Sequence, residues 1–348
     1  GVIAWLGSLG VHEATSFVSV PENREFEMAA RTCVPVRFNE ILLGFLWLID
    51  EPEMSSAQLE KANGYAEEIA IALYRARLLE HAERERELSL MAEVVGRADG
   101  DPRKAGEQLV AEGHLAAMPI YVAMVMRGVG STFGEAPDAV RVLLADAAEQ
   151  VRRSVSPHHM STLPDGEQVF LVLAADTGEE VNRRALALSD AVRAAAPREG
   201  WDGVVGVGEA VVRSRDLAVS CAQAGRAIRA AVALGREEPI VHWSELGAYK
   251  AILELSGENE RELPVADSLQ RLLDSNDAAT LVPTLECYLD LAGDASASAA
   301  ALYIHRSSLY GRLRRIEELT GVDLRSGEDR LELHLGIRLL RLAGRIRS

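Results

Sequence analysis

The spacing of apolar residues changes along the chain, and these changes outline its elements. Two β-rich runs, Thr32 to Phe38 and Ile41 to Ile49, flank Asn39-Glu40, and a two-residue break between such runs predicts a hairpin. From Ser55 to about Val95 the apolar residues follow a helical period instead, which predicts a long helix. We therefore expect residues 1–50 to be strand-rich and to lead into one long helix.

The predicted long helix has two differently patterned halves. An apolar stripe runs along its first half, formed by Leu59, Ala62, Ala66, Ile69 and Leu73. In its second half the apolar residues are sparse and lie between charges, at Leu78, Leu79, Ala82, Leu88 and Met91. This second pattern is typical of a linker helix or coiled coil. We expect its large apolar side chains to pack against a second copy of the chain in a homodimer.

Residues 118–243 alternate between strand and helix patterns. Strands are predicted at Met118–Met126, Gln168–Ala174, Gly203–Gly208 and Pro239–His242. His159–Leu163 is a further strand candidate, which would pair with the second of these across the turn Pro164-Asp165-Gly166-Glu167. Helices are predicted from Pro137 to about Ser154, from about Glu179 to Ala196 and from Leu217 to Leu234. The order β-α-β-β-α-β, with a further helix and strand, predicts a ferredoxin-like or cyclase-like α+β sandwich.

Near the C-terminus, Ser296 to Leu324 has the outline of a helix-turn-helix DNA reader. A short Ala-rich helix pattern, a tight break and an amphipathic helix rich in Arg follow one another within about thirty residues. On the second helix one face is expected to pack inward, formed by Leu309, Leu313, Ile316 and Thr320. The opposite face carries Ser307, Gly311, Arg314 and Glu318, with Arg315 beside them.

Eight residues of this second helix are the candidate DNA contacts: Arg306, Ser307, Ser308, Tyr310, Gly311, Arg312, Arg314 and Arg315. Arg can bond guanine bidentately, and Ser can bond a base edge or a phosphate. Arg312 lies about 60° from the core direction, so we expect it to contact the phosphate backbone. Ser307 or Ser308 can also cap the helix start, and Gly321 is expected just past its end.

Gly311 is unusual inside a helix, where it costs about 1 kcal/mol relative to Ala. A close approach to DNA would explain a residue without a side chain at this position. Tolerated sequence drift is the alternative interpretation.

Charge is distributed unevenly between the two ends of the chain. Residues 295–348 hold ten Arg and six acidic residues, a net charge of +4, whereas the whole chain carries −16, so residues 1–294 carry −20. A basic end on an acidic body is typical of a regulator that presents one face to DNA. The alternative is a solvated helical bundle with surface Arg.

Other patterns narrow the classes of function. Cys33, Cys221 and Cys287 lie far apart and show neither metal-ligand nor disulfide spacing, which fits a reducing cytoplasm. No run approaches 18 apolar residues and no secretory signal is seen, so we expect a cytoplasmic chain without a membrane partner. Gly203 to Glu209 lacks the phosphate-loop spacings and predicts a closely packed strand. We expect neither catalytic residues nor a metal or cofactor.

The segment from His305 to Leu324, with Leu302 before it, resembles the C-terminal helix-turn-helix of PucR/CdaR-type bacterial transcriptional regulators. The matching positions are Leu302, His305, Arg312, Leu313, Ile316, Glu317, Thr320, Gly321, Asp323 and Leu324. Ser307-Ser308 stand where the family usually has Asn-Thr, a departure that bears on the operator sequence. The resemblance implies a regulator that binds double-stranded DNA, as a homodimer or higher homo-oligomer, and responds to a small metabolite effector.

Weaker resemblances extend over the rest of the chain. The predicted strand pair and helix resemble the C-terminal half of a GAF sensor domain, although about 70 residues is short for a whole one. The middle region resembles the degenerate GGDEF-like domain that PucR/CdaR-type proteins often carry. A diguanylate cyclase would need a metal-binding Asp at the end of the first strand, where this chain has Arg127-Gly128.

The expected fold class is therefore α+β multidomain. Residues 1–75 form a partial GAF-like sensor or dimerisation domain, residues 76–112 linker helices, residues 113–245 a degenerate GGDEF-like domain, and residues 246–348 an all-α domain whose reader is 296–324. A nucleotide cyclase-like signalling enzyme and a protein-interaction adaptor that has lost DNA binding are the alternative functions.

Overall fold

The structure, a computed structural model, describes residues 1–49, 54–129, 137–156, 158–195, 202–233, 238–256 and 266–346. It divides into two compact units, Gly1–Glu87 and Leu88–Ser348. Both helices and sheets are present in the described ranges, so the chain is of mixed α+β class. Within those ranges no helix has the length and apolarity that crossing a membrane requires.

A three-stranded antiparallel sheet is the centre of the first unit. Its strands are β1 (Val18–Val20), β2 (Arg31–Phe38) and β3 (Ile41–Ile49), in the order β1-β2-β3. The predicted hairpin is thus confirmed, and its turn residue Asn39 adopts a positive φ of 52°, as Asn tolerates well.

The strand pattern expected over all of residues 1–50 is wrong at the beginning of the chain. Val2–Ser8 form a helix, α1. Trp5, Leu6 and Leu9 pack against the buried cluster of Val11, Val20 and Cys33. Trp5 and Leu6 lie on α1 and Leu9 follows it directly, so these apolar side chains cover the sheet at this end of the chain.

The long helix is confirmed as α2 (Ser56–Val95), but its buried stripe differs from the predicted one. Ala62, Ala66 and Ala70 face β2, whereas Ile69 and Leu73 are exposed. Small side chains at i, i+4 and i+8 let the helix lie close to the sheet, which turns the larger residues toward solvent. The ring of Tyr74 also stacks on Phe38, with ring centroids 4.2 Å apart.

The last turns of α2 belong to the second unit. Leu90, Met91 and Val94 are buried there with Leu109 of α3 (Pro102–Ala111), and Leu88 is half-buried. The expectation that Met91 packs in a homodimer interface is therefore wrong, because its side chain lies in a core within the chain. The segment described as linker helices is, from Leu88 onward, a structural part of this unit.

The second unit contains a five-stranded sheet ordered β5-β6-β4-β7-β8. Among the described strand pairs of this sheet, β7–β8 is parallel and the others are antiparallel. The strands are β4 (Ile120–Val129), β5 (Met160–Asp165), β6 (Gln168–Ala175), β7 (Asp202–Val207) and β8 (Ile240–His242). Between them run α4 (Pro137–Arg153), α5 (Gly178–Ala195) and α6 (Leu217–Ala233), so the element order matches the predicted one.

Helices cover both faces of this sheet. On one face α4 and α5 pack over alternate β4 residues such as Met124 and Met126. On the other, α3, α6 and the end of α2 cover Tyr121, Ala123 and Val125. The alternation of the two sets follows from the two-residue period of a strand. The continuously apolar β4 sequence is thereby explained, since both of its faces are buried.

Close packing between β7 and α6 confirms the interpretation of the Gly-rich segment as a strand. A Cβ at Gly206 would lie 2.4 Å from the carbonyl oxygen of Ala224, and a Cβ at Gly208 would lie 2.2 Å from that of Ser220. Real side chains cannot approach so closely, so these glycines serve helix–strand packing.

In the part of the unit that the structure describes after β8, six α-helices follow: α7 (Ala248–Ser256), α8 (Asp267–Leu273), α9 (Ala278–Asp290), α10 (Ala295–Ala301), α11 (Arg306–Thr320) and α12 (Gly327–Leu342). Helices α8 to α12 share one apolar core. Near its end α12 also joins a second core, since Leu339 and Leu342 pack with Trp243 and Leu246 beside the sheet while Leu340 stays in the first.

Candidate nucleic-acid interface

Helices α10 and α11 and the four residues between them form a helix-turn-helix. Asp294 caps α10, because its carboxylate accepts hydrogen bonds from the backbone N–H groups of Ser296 at 2.8 Å and Ala297 at 3.0 Å. Tyr303 reverses the chain in the turn with a φ of 55°, in the left-handed region. These two features fix where α10 begins and where the chain turns into α11.

His305 caps the first turn of α11, where Ser307 or Ser308 was expected to do so. The Nδ1 atom of His305 accepts a hydrogen bond from the backbone N–H of Ser307 at 3.3 Å and lies 2.8 Å from the Ser307 hydroxyl oxygen. Arg306 reaches back and donates to the Ser296 hydroxyl oxygen of α10. The start of α11 is thereby tied to the turn and to the preceding helix.

The inward face of α11 is confirmed as predicted. Leu309, Leu313, Ile316 and Thr320 are all buried in the core of α8 to α12. The helix ends at Gly321 with a φ of 76°, the expected left-handed residue. Arg271 of α8 donates to the carbonyl oxygen of Leu319 at 3.1 Å and also to that of Thr320. Core packing and this capping arginine hold α11 in a fixed orientation.

The outward face of α11 carries Ser307, Gly311, Arg314 and Glu318, all of them exposed. Within the part of the chain that the structure describes, Arg314 has no ion-pair partner, so its guanidinium is available to a ligand. Arg315 is exposed at the side and lies near two carboxylates, Asp277 at 3.7 Å and Glu318 at 3.3 Å. The face thus presents hydroxyl groups and cations, and at Gly311 no side chain covers the helix backbone.

The structure exposes seven of the eight predicted contact residues and half-buries the eighth. Arg306, Ser308 and Tyr310 are exposed, and so are Ser307, Gly311, Arg314 and Arg315 on or beside the outward face. Arg312 instead points toward α9, where its Nη1 atom donates to the Thr284 hydroxyl oxygen at 3.1 Å. Its side chain supports the packing of α11 against α9 rather than extending the outward face.

Tyr303 is a candidate contact that the sequence analysis missed. Its side chain is 96% exposed and stands in the turn directly before α11. A Tyr with a positive φ is uncommon, and holding its ring in water gains nothing for folding. Helical periodicity could not indicate this residue, because the turn lies outside both periodic segments.

The β5–β6 hairpin carries two carboxylates, Asp165 and Glu167. Asp165 accepts a hydrogen bond from the Nε of Arg97 at 2.8 Å, and Glu167 lies 3.6 Å from the guanidinium of Arg127. Gly166 between them has a φ of 59°, which a tight turn requires. Both hairpin carboxylates are therefore paired with arginines.

Comparison with known proteins places the helix-turn-helix in a described family. The family described as PucR C-terminal helix-turn-helix domain matches residues 281–339, which include most of α9 and the whole of α10 and α11. The match thus covers both helices of the helix-turn-helix.

Three curated relatives are regulators by name. The chain is 29% identical over 140 residues to "Proline-responsive transcriptional activator PutR" of Bacillus subtilis, a match that covers 39% of this chain and 34% of that protein. It is 36% identical over 90 residues to the "Purine catabolism regulatory protein" of Bacillus subtilis, a match that covers 24% of this chain and 17% of that protein. It is 39% identical over 75 residues to the "Carbohydrate diacid regulator" of Escherichia coli, a match that covers 22% of this chain and 20% of that protein.

These matches leave most of each relative uncovered, since the aligned segments span about a third of the first relative and about a fifth of the other two. A solved structure, "Crystal Structure of Regulator of Polyketide Synthase Expression from Bifidobacterium adolescentis", is 16% identical with a TM-score of 0.35, covering 73% of this chain and 97% of that one. That likeness is too distant to inform fold or function. Residues 281–339 are a PucR-type helix-turn-helix domain, of the kind found in PucR/CdaR-type regulators.

Proposed function

We propose that this chain is a sequence-specific DNA-binding transcriptional regulator that reads double-stranded DNA with α11. The observation that carries the proposal is the pair of opposite faces on α11. One face is buried and fixed by Arg271, and the other exposes Ser307, Gly311 and Arg314 within a PucR-type helix-turn-helix domain. A rigid helix with one free cationic face is what reading the major groove requires.

Each exposed residue has a chemical role in this proposal. Arg314 would donate two hydrogen bonds to a guanine edge, because its guanidinium is outward and unpaired in the described chain. Ser307 would contact a base edge or phosphate at the helix start. Arg315 and Arg306, at the sides of the face, would contact phosphates, and Tyr303 could pack on the sugar-phosphate backbone before α11.

The test is DNA binding by single variants, measured by fluorescence anisotropy on an operator selected from random duplexes. Arg314→Ala is expected to cost about 1–3 kcal/mol and to relax base preference at one position. Arg315→Ala is expected to weaken binding to all DNA sequences alike and to lower the slope of log affinity against log salt concentration by about 1. Arg183→Ala removes one positive charge from an exposed site on α5 and serves as the control.

One result would overturn the proposal. If an Arg306→Ala, Arg314→Ala, Arg315→Ala triple variant binds the selected operator as tightly as the wild type, α11 is not the reading helix. The adaptor alternative would then stand, in which the helical domain recognises protein instead of DNA.

We also propose that the chain acts as a homodimer through α2. Five of its residues follow one another at alternating intervals of four and three, all exposed: Tyr65, Ile69, Ala72, Ala76 and Leu79. This is the heptad spacing of a two-stranded coiled-coil seam. In a parallel pair, Arg75 of one copy would face Glu80 of the other, and these charges are complementary. A dimer also gives two reading helices for two half-sites.

The middle sheet is proposed to be a degenerate GGDEF-like scaffold, and the first unit a partial GAF-like domain, without cyclase activity. Pairing of Asp165 with Arg97 and of Glu167 with Arg127 supports this, because carboxylates held by arginines are poor metal ligands. Formation of a cyclic dinucleotide from GTP and Mg²⁺ would contradict it. One relative is named as proline-responsive, and the names of the other two refer to purine catabolism and to carbohydrate diacids, so we propose a small-metabolite effector only as a class.

A further inference from the structure

Two of the seven tyrosines in the chain differ from the others in their surroundings. Within the ranges that the structure describes, Tyr303 and Tyr310 have no aromatic or cationic contact to the ring and no hydrogen bond to the hydroxyl. The other five each have such a contact: Tyr65, Tyr74, Tyr121, Tyr249 and Tyr288. Both tyrosines without one lie in the helix-turn-helix. Tyr is enriched at binding interfaces, where its ring gains contacts that the free chain lacks.

Tyr310 lies on the flank of α11 that also carries Arg314. At about 100° per residue, Tyr310 points about 90° and Arg314 about 130° away from the buried face, on the same side of the helix. The two residues are at i and i+4, so they are neighbours on the helix surface. Tyr310 is 55% exposed, and Arg314 is exposed without an ion-pair partner in the described chain. This flank therefore presents an apolar ring beside an available guanidinium.

The opposite flank of α11 is chemically different. Arg315 lies there with its guanidinium 3.3 Å from Glu318 and 3.7 Å from Asp277, and Arg312 donates to the Thr284 hydroxyl oxygen. These cations are already partly engaged within the chain. The flank of Tyr310 and Arg314 is thus the better candidate for contacts with base edges.

Gly311 lies between the two flanks and points almost directly away from the core. A Cβ at this position would meet no atom within 4 Å, so the fold leaves the centre of the outward face open. Without a side chain there, α11 can lie deep in the major groove. A long side chain on the flank, such as that of Tyr310, then reaches the level of the base edges.

We propose that Tyr310 contacts the 5-methyl group of a thymine in the operator, within about two base pairs of the guanine assigned to Arg314. This contact depends on the proposed function, because it names a base that α11 would read. The 5-methyl group of thymine is apolar, and it is recognised in the major groove by apolar side-chain surface. Four residues of helix advance about 6 Å and base pairs are about 3.4 Å apart, which sets the spacing of the two bases.

The test replaces each thymine of the selected operator in turn by deoxyuridine, which removes the 5-methyl group and keeps the base pair. Fluorescence anisotropy of the full chain should show binding weaker by about fourfold at one thymine per half-site, the effect of one buried methyl group. That thymine should lie within about two base pairs of the position where Arg314→Ala relaxes base preference. Tyr310→Ala should bind the thymine and deoxyuridine operators equally.

Two further variants separate the ring from other roles of the residue. Tyr310→Phe keeps the ring and loses the hydroxyl, so it should still distinguish thymine from deoxyuridine; loss of this distinction would overturn the methyl contact. Tyr303→Ala is the matched control, because it removes the other exposed tyrosine of the helix-turn-helix and should keep the fourfold difference. Tyr310→Ala should retain the fold, since the position is exposed and Ala favours helices.

Failure of this contact is distinguishable from failure of the proposed function. If the wild type binds every deoxyuridine operator as tightly as the thymine operator, while Arg314→Ala still weakens binding, the thymine contact is wrong and α11 remains the reading helix. An undiminished methyl effect in Tyr310→Ala would also overturn the contact, because another residue would then make it. Unchanged operator binding by the Arg306→Ala, Arg314→Ala, Arg315→Ala triple variant, or the lack of any selectable operator, would overturn both.

Discussion

Gly311 occupies a position in α11 where packing does not require glycine. A Cβ there would meet no atom within 4 Å, and the residue is exposed in the middle of the helix. Ala would be more stable at such a position by about 1 kcal/mol. The glycine is nevertheless on the outward face, between Ser307 and Arg314. A requirement that the α11 backbone come close to DNA would explain it, which leads to a test on a single residue.

Gly311→Ala is expected to raise the free energy of unfolding by about 0.5–1 kcal/mol and to lower DNA affinity about tenfold. The added methyl group stabilises the helix but holds its backbone away from the groove. Urea unfolding and anisotropy on the selected operator measure the two effects. Gly64→Ala is the matched control, because Gly64 is also an exposed helical glycine with open space around it, on α2. An unchanged DNA affinity in Gly311→Ala would favour sequence drift.

At the residue scale, the buried face of a helix was easier to predict than the hydrogen-bond partners of single side chains. The buried set of α11 follows from 3.6-residue periodicity, and the structure confirms it residue by residue. His305 as the helix cap and Arg312 as a partner of Thr284 depend on which side chains the turn and α9 bring near. Such contacts join residues that are distant in sequence, or depend on which of several rotamers a side chain adopts. The spacing of residues along the chain therefore cannot predict them.

Helix α2 shows how an element can carry two apolar faces with different purposes. One face, at Ala62, Ala66 and Ala70, covers the sheet of the first unit. The second face is the exposed heptad stripe that ends at Leu79, whose side chain is 65% exposed. From sequence the two faces overlap in one amphipathic pattern, and small alanines look less apolar than Ile69 or Leu73. Only the position of the sheet decides which face is inside.

Leu79→Glu is expected to weaken the homodimer by at least about tenfold, because a charge would replace a large apolar side chain worth about 1.5–3 kcal/mol when buried. Sedimentation at low micromolar concentration measures this. Leu78→Glu is the control, since Leu78, which the sequence pattern alone placed in the interface, is also exposed on α2 but lies about 100° away from the stripe. A Leu79→Glu chain that remains as dimeric as the wild type would show that α2 is not the interface.

Over the whole molecule, the order of the elements was predictable and their assembly was not. The hairpin of β2 and β3, the β-α-β-β-α-β order and helix α11 were predicted close to their observed limits, since each has a strong local period. The assignment of Leu88 to Val95 to the second unit was missed. A helix carries no local signal for which of two sheets covers each of its halves.

Helix α12 is shared between two cores of the second unit. Leu333, Ile337 and Leu340 belong to the core around α11, whereas Leu339 and Leu342 pack with Trp243 next to the sheet. Arg338 adds a contact across the same junction, with its guanidinium 5.6 Å from the ring centre of Tyr249. A helix that completes both cores should couple their stabilities, because it cannot unfold in one without exposing apolar surface in the other.

Leu333→Ala tests this coupling by hydrogen exchange measured element by element. Removing a fully buried side chain should destabilise the α8 to α12 core by about 2–5 kcal/mol. Because α12 joins the cores, exchange should also become faster in β7 and β8, far from the substitution. Leu331→Ala on the same helix removes a side chain that is 66% exposed and should change neither region. Faster exchange confined to α8 to α12 would show that the reader unfolds independently of the sheet. Faster exchange in both would mean that a ligand stabilising the sheet also stabilises the DNA-reading helix, which gives an effector a physical route to α11.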